Sequence, residues 1–250
     1  ASNHNSVPMI LGTNRDEPSV FMFADPRHVE VTDAGRRLRD EGAYLREVKY
    51  GALAWKERGV DSLAILLTAS GNENVFGYRF DWDEEGMVGG MDYSKMLGAA
   101  HAVELPFVFG DFTTGWVLED IFSNSAEKDV LADNMMSYWT EFARTGNPGK
   151  GRSGELPEWT AWDTDGETML ILDTPSDQGI HMTSGALTPA GMKAALVADP
   201  GIVDRVERCA RYAQMFLDGP HFDPVEFAAL GRAEGQEGCA GLDPRELRGF

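Results

Sequence analysis

Residues 7–13 are the feature that most constrains what this chain can fold into. They read Val-Pro-Met-Ile-Leu-Gly-Thr, a run without the alternation of apolar and polar residues that a half-exposed strand shows. A short apolar run of this kind is typical of a strand buried on both faces of a parallel sheet. Parallel strands need long crossover connections, which are usually helices. The run therefore favours an α/β protein.

Strand-like and helical segments alternate along the rest of the chain. Aromatic and β-branched runs predict strands at 74–80 and 168–172. Apolar residues at helical spacing predict helices at 60–70, 127–144 and 203–217. This order is that of an α/β sheet protein.

Two motifs carry groups suited to acid–base chemistry. Glu17 ends the stretch Gly-Thr-Asn-Arg-Asp-Glu that follows the first predicted strand, and it is expected to cap a helix beginning at Pro18. His101 lies in a loop, at the centre of Gly-Ala-Ala-His-Ala-Val-Glu. A histidine can take a proton from a hydroxyl nucleophile when a carboxylate fixes its tautomer and stabilises the imidazolium. Glu17 and His101 could form that pair, and the residues alone leave open that each is merely a capping group.

Further stretches give these motifs a context, because the chain resembles type-B carboxylesterases, the family that includes the cholinesterases. The resemblance covers roughly residues 7–175 and rests on motifs in the family order, namely 7–17, 98–110, 138–148 (Tyr-Trp-Thr-Glu-Phe-Ala-Arg-Thr-Gly-Asn-Pro) and 157–162 (Pro-Glu-Trp-Thr-Ala-Trp). It implies an α/β-hydrolase fold, with a mostly parallel central sheet flanked by helices. Residues 1–250 would be the C-terminal part of that single domain, incomplete without an N-terminal half. Glycine, proline and charged residues dominate about 219–250, where we expect a loosely packed C-terminal tail.

The resemblance also implies roles for individual residues. Glu17 would be the acid and His101 the general base of a Ser-His-Glu triad, and Glu104 a buried carboxylate that supports them. Where cholinesterases place aromatic rings in the substrate gorge, this chain has Val20 and Val103, although Phe21 is kept. A quaternary ammonium binds best against aromatic faces. These three substrate-binding positions, Val20, Phe21 and Val103, therefore favour a general carboxylesterase over a choline esterase.

The nucleophile of such a triad is absent from the sequence. No serine lies in the Gly-x-Ser-x-Gly elbow that exposes the hydroxyl in α/β-hydrolases, and Ser153 comes nearest but has Glu155 in place of the last glycine. The elbow precedes the acid in this fold. We therefore expect an upstream segment or a separate chain to supply the serine and the oxyanion hole, with no activity from this chain alone. The alternative is a catalytically inactive cholinesterase-like domain that binds proteins.

The composition limits which classes of partner and cofactor are expected for this chain. With 41 Asp and Glu against 22 Lys and Arg, the net charge of -19 disfavours binding of nucleic acid. The sequence contains no run of 18 apolar residues, so it predicts no transmembrane segment. The acidic clusters 81–85 and 163–165 lack the spacing of a calcium loop, so neither a metal nor an organic cofactor is expected. The partner expected is a small carboxylic ester. Cys209 and Cys239 could form one disulfide in an oxidising compartment, and the cellular location stays open.

The other histidines are weaker candidates for catalysis. His181 lies in a strand-like run and His221 in the predicted tail. His4 and His28 have no residues of catalytic interest next to them in the sequence. A triad needs three groups within reach of one another. None of these four is expected to be catalytic.

Overall fold

The structure, a computed structural model, describes residues 5–33, 35–113, 119–122 and 127–249. Its strands are β1 (Met9–Asn14), β2 (Val29–Thr32), β3 (Gly35–Leu38), β4 (Val75–Phe80), β5 (Met87–Val88), β6 (Met91–Asp92), β7 (Glu167–Leu172) and β8 (His181–Ser184). Its α-helices are α1 (Ser19–Met22), α2 (Glu41–Lys56), α3 (Ser62–Ala69), α4 (Tyr93–Met96), α5 (Leu105–Phe109), α6 (Lys128–Thr145), α7 (Pro189–Ala198), α8 (Arg205–Phe216) and α9 (Pro224–Ala229). One π-helical turn, Glu57–Asp61, joins α2 to α3.

The central sheet has four strands in the order β1-β4-β7-β8. β1 pairs in parallel with β4, and β4 in parallel with β7, whereas β8 runs antiparallel to β7. The two small antiparallel pairs are β2 with β3 and β5 with β6. The predicted fold class, α/β with a mostly parallel sheet flanked by helices, is confirmed.

Glycine at position 12 fits the register of the first two strands. Gly12 lies opposite Tyr78, and a Cβ atom at Gly12 would come within 1.9 Å of the Tyr78 ring. The aromatic ring therefore occupies the space that a side chain on β1 would need.

The local sequence explains where the longer helices begin and end. The Asp40 side chain accepts a hydrogen bond from the Ala43 amide at the start of α2, and Asp204 does the same for the Glu207 amide at the start of α8. Gly146, at φ 79°, ends α6 in the left-handed conformation that glycine adopts without steric cost. The helices predicted at 60–70, 127–144 and 203–217 are present as α3, α6 and α8, with shifted ends.

Two expectations about the first motif differ from the structure. β1 is only partly buried within the described residues, where it pairs with β4 alone and forms one edge of the sheet. The residue preceding α1 is Pro18, and no side chain caps this helix. The predicted capping role of Glu17 is wrong, because its carboxylate turns back towards β1.

The largest hydrophobic cluster packs the sheet against α5 and α6. Phe80 of β4 and Leu172 of β7 share this core with Phe107, Leu131 and Tyr138 from the two helices. The cluster lies directly behind the loop that carries His101, so it fixes that loop to the sheet.

A second cluster joins α2, α7 and α8 to the C-terminal segment. Tyr50, Cys209 and Phe216 are buried in it with Phe227 and Cys239, which come from the segment 219–250 expected to be a loose tail. Cys209 and Cys239 form a disulfide. At these positions the segment is anchored to α8. None of the described helices has the length and apolar character needed to cross a membrane.

Candidate active site

Glu17 and His101 lie on two loops that meet at the carboxyl ends of parallel strands. Glu17 follows β1, and His101 lies in the turn between α4 and α5. The loops are joined through their backbones, since the Asp16 amide donates to the Ala99 carbonyl at 2.9 Å and the His101 amide to the Glu17 carbonyl at 3.4 Å. The Asp16 carboxylate also accepts the Ala99 amide at 3.1 Å. These bonds set the distance between the two motifs.

The Glu17 carboxylate is buried and fully engaged, with the residue only 4% exposed. Its Oε1 accepts hydrogen bonds from the Asn14 amide at 2.8 Å and from the Thr13 hydroxyl at 3.2 Å. Its Oε2 lies 2.7 Å from Nδ1 of His101. Both oxygens of the carboxylate are therefore engaged by neighbouring groups.

The His101 ring has one fixed side and one open side. An ionised carboxylate only accepts, so the contact with Glu17 places the imidazole proton on Nδ1 and leaves a lone pair on Nε2. The side chain is 47% exposed, and Nε2 has no hydrogen-bond partner among the described residues. The next residue, Ala102, has φ 70°, a left-handed conformation that is uncommon outside glycine. The contact with Glu17 thus leaves Nε2 of His101 available to accept a proton.

Asn14 is a site residue that the sequence analysis did not identify. Its side-chain amide donates to the Ala100 carbonyl at 2.6 Å and to Oε2 of Glu104, while its backbone amide donates to Glu17. Burial raises the pKa of Glu104, and the bond from Asn14 opposes that shift. One buried amide therefore ties the acid loop, the histidine loop and Glu104 together. A polar residue ending an otherwise apolar strand was the available signal.

The predicted substrate-binding residues flank His101 on different sides. Val20 and Val103 line a cavity of about 440 Å³ that His101 also lines. Its other walls are mainly apolar, from residues including Leu97, Leu105, Pro106, Phe109 and Ile121. Phe21 does not line this cavity. Its ring stacks near the imidazole, with the centroids 6.0 Å apart.

The remaining histidines have structural neighbours only. Nδ1 of His181 lies 3.0 Å from the Gly179 carbonyl, and the ring of His28 packs against Tyr44 with its Nε2 3.7 Å from Glu47. His4 lies outside the described residues. In the described part of the chain, no group of three or more His, Cys, Asp or Glu residues is placed to hold a metal ion.

Comparisons with known proteins show which family this chain is similar to. The model of the carboxylesterase family matches residues 52–187, a range that contains His101 but not Glu17. The para-nitrobenzyl esterase of Bacillus subtilis (strain 168) is 31% identical over 188 residues, which is 68% of this chain and 35% of that protein. The acetylcholinesterase of Electrophorus electricus is 31% identical over 112 residues, covering 45% of this chain and 16% of the enzyme.

Other matches are shorter or more distant. The acylcarnitine hydrolase of Mus musculus is 40% identical over 89 residues, 36% of this chain and 14% of that protein. A solved PNB esterase superposes with a TM-score of 0.41 at 24% identity, covering 70% of this chain and 35% of the other. The chain thus matches about a third or less of the length of these relatives. Because the family model spans more than half of the 250 residues, the chain belongs to the carboxylesterase family.

Proposed function

We propose that this chain supplies the acid and the base of a carboxylic ester hydrolase that works through a Ser-His-Glu acyl-enzyme mechanism. Glu17 is the acid and His101 the base. One observation carries the proposal: Nδ1 of His101 lies 2.7 Å from the buried Glu17 carboxylate, while Nε2 of the half-exposed ring has no hydrogen-bond partner among the described residues. This is the geometry in which a carboxylate fixes a histidine tautomer and leaves the second nitrogen for proton transfer.

Each described group has a defined task in such a mechanism. Nε2 of His101 accepts the proton of a serine hydroxyl as the hydroxyl attacks the ester carbonyl, and then donates it to the leaving alcohol. Glu17 stabilises the imidazolium, and the hydrogen bonds from Asn14 and Thr13 hold its carboxylate in place. A water molecule, activated in the same way, then releases the acid from the acyl-enzyme. The scheme uses no metal and no organic cofactor.

The nucleophile and the oxyanion hole come from outside these 250 residues, from an upstream segment or a separate chain. Two facts support this part of the proposal. The sequence has no Gly-x-Ser-x-Gly motif, and the para-nitrobenzyl esterase matches this chain over only 35% of its own length. In α/β-hydrolases the serine elbow precedes the acid.

The proposed substrate is a neutral carboxylic ester. The cavity beside His101 is lined mainly by apolar side chains, among them Val20 and Val103, and such walls bind uncharged acyl or alkyl groups through burial of apolar surface. The name of one relative, a para-nitrobenzyl esterase, describes a hydrolase of such an ester.

Replacing His101 by alanine tests the proposal. In the complete enzyme, His101→Ala should lower kcat for para-nitrophenyl acetate by about three to six orders of magnitude, because the serine loses its base. The release of nitrophenolate measures the rate. His181→Ala is the matched control, since His181 lies on β8, pairs with Ile171 of β7 and has its Nδ1 3.0 Å from the Gly179 carbonyl; its kcat should stay within about twofold.

Two outcomes would contradict the proposal. The catalytic assignment fails if the His101→Ala enzyme keeps its turnover within a factor of a few. If the complete protein carries another residue at the serine position and hydrolyses no ester, the chain belongs to an inactive binding domain.

A further inference from the structure

A second aromatic side chain lies against the imidazole of His101. Trp55, in the last turn of α2, has its ring centroid 5.1 Å from that of His101, with the planes inclined by 49°. The same indole stacks on Phe21, with the centroids 6.4 Å apart and the planes inclined by 20°. Phe21, Trp55 and His101 therefore form one continuous group of rings, which we call the ring wall.

The rings of the wall are partly exposed in the described part of the chain. Trp55 is 38% exposed and Phe21 65% exposed, beside an imidazole side chain that is 47% exposed. Neither aromatic residue lines the cavity formed by Val20 and Val103. His101 thus has two distinct apolar neighbours, the cavity lined by Val20 and Val103 and the ring wall.

Close packing between α2 and the acid loop holds Trp55 in this position. A Cβ atom at Gly51, one helical turn before Trp55, would come within 2.7 Å of the Pro18 ring, so glycine permits the helix to touch the residue that follows Glu17. The π-helical turn Glu57–Asp61 begins directly after this last turn of α2. The indole is therefore carried by a helix anchored to the loop of the proposed acid.

We propose that Trp55, together with Phe21, binds the aromatic ring of the ester's alcohol part and makes Trp55 a specificity-determining residue. The inference rests on the proposed function of His101. The protonated imidazole delivers its proton to the leaving alcohol oxygen, so the group bonded to that oxygen lies beside the histidine ring. Aromatic rings stack on or meet the edges of other rings with a preference beyond burial of area. The substrate class is thus esters of benzyl or aryl alcohols.

The test uses two acetates of the same carbon skeleton, benzyl acetate and cyclohexylmethyl acetate, with the complete enzyme and titration of the released acid. Trp55→Leu keeps an apolar side chain but removes the aromatic face, and it should lower the benzyl-to-cyclohexylmethyl ratio of kcat/KM about fivefold. Trp55→Phe should keep the ratio within about twofold. Leu45→Ala, an exposed position on the same helix, is the control and should leave the ratio unchanged.

The outcomes separate this inference from its alternatives. An equal loss on both acetates would overturn it, because Trp55 would then act by positioning His101. A ratio that does not change in Trp55→Leu also overturns it. A change seen instead between methyl phenylacetate and methyl cyclohexylacetate would place the wall at the acyl side and contradict the assignment to the alcohol.

A folding defect is recognised independently of specificity. If Trp55→Leu does not fold, Phe21→Leu carries the same prediction at a more exposed position. The proposed function fails separately, through turnover that survives His101→Ala, whereas the inference concerns only the ratio between two esters.

Discussion

At the scale of single residues, Asn14 links the acid loop to the histidine loop, although it was not singled out from the sequence. Its side-chain amide donates to the Ala100 carbonyl and to the Glu104 carboxylate, so its removal takes a donor from Glu104 and leaves the Ala100 carbonyl with the Val103 amide alone. Asn14→Ala should lower the free energy of unfolding by about 2–3 kcal/mol, measured by urea denaturation. Asn74→Ala, at an exposed position, should change it by less than about 0.5 kcal/mol. Equal effects of the two substitutions would show that the Asn14 side chain does not support the loops.

Asp173 gives the protein a pH dependence that can be measured. Burial raises its pKa to about 7 from the usual 3.8, with Asp81 and Asp177 adding to the shift and the Thr174 amide opposing it. Between 3.8 and about 7 the folded state keeps a proton that the unfolded chain has released. The stabilisation is therefore complete below 3.8 and lost as the pH rises through about 7.

The neutral variant Asp173→Asn removes this dependence. The melting temperature of the unsubstituted protein should fall more between about pH 5 and about pH 8 than that of the variant, as scanning calorimetry would show. Asn retains the oxygen that accepts the Thr174 amide. Parallel pH profiles of the two proteins would contradict the prediction.

At the scale of elements, the helical unit formed by α2, the π-helical turn and α3 contains a buried ion pair. Nζ of Lys56 bonds both carboxylate oxygens of Asp61 at 2.8 and 2.6 Å, and Asp61 also accepts the Leu187 amide. Burial lowers the pKa of Lys56 and raises that of Asp61, while each partner opposes the shift of the other. The pair connects the helical unit to the segment before α7.

Breaking one side of this pair should be costly. Asp61→Ala leaves a buried ammonium without its partner and should destabilise the protein by about 3–5 kcal/mol in urea denaturation. The double variant Lys56→Met, Asp61→Asn removes both charges and keeps an acceptor for Leu187, so it should lose much less. A double variant as unstable as Asp61→Ala would mean that packing, and not the unpaired charge, sets the cost.

The helices and strands were easier to predict than the neighbours that pack against them. The strand at β4 and the helix at α6 follow from local apolar patterns and from Gly146, whose left-handed conformation ends the helix. Leu63 and Leu66 lie in the helix predicted at 60–70 from apolar spacing, yet both side chains are exposed. Periodicity reports that a segment has an apolar side, but the neighbours that cover it are set by tertiary packing.

The candidate site shows the same division. Glu17 and His101 belong to recognisable motifs, and the structure brings them together. Trp55 has no such signal, because its contact with His101 depends on how α2 packs against Pro18 through Gly51, a long-range event. The sequence contains recognisable groups with suitable chemistry, whereas the ring wall beside them depends on the packing of α2.

At the scale of the whole molecule, the Cys209–Cys239 disulfide fastens the C-terminal segment to α8 across a sequence separation of 30. Loss of such a link should cost about 3–4 kcal/mol, because the unfolded chain gains conformational freedom. Adding a reductant should therefore lower the melting temperature. The Cys209→Ala, Cys239→Ala variant should melt lower from the start and be insensitive to reductant. If it melts at the temperature of the oxidised protein, the link contributes nothing.

The unpaired side of β1 links assembly of the sheet to the proposed catalysis at His101. Among the described residues β1 pairs only with β4, and the chain leaves its carboxyl end directly towards Glu17. A strand joining that side in parallel would finish at the same rim of the sheet, where its following loop would emerge next to the imidazole. Backbone hydrogen bonds far from any ester would then bring the nucleophile to His101. Pairing of strands at β1 would thus determine whether the enzyme is active.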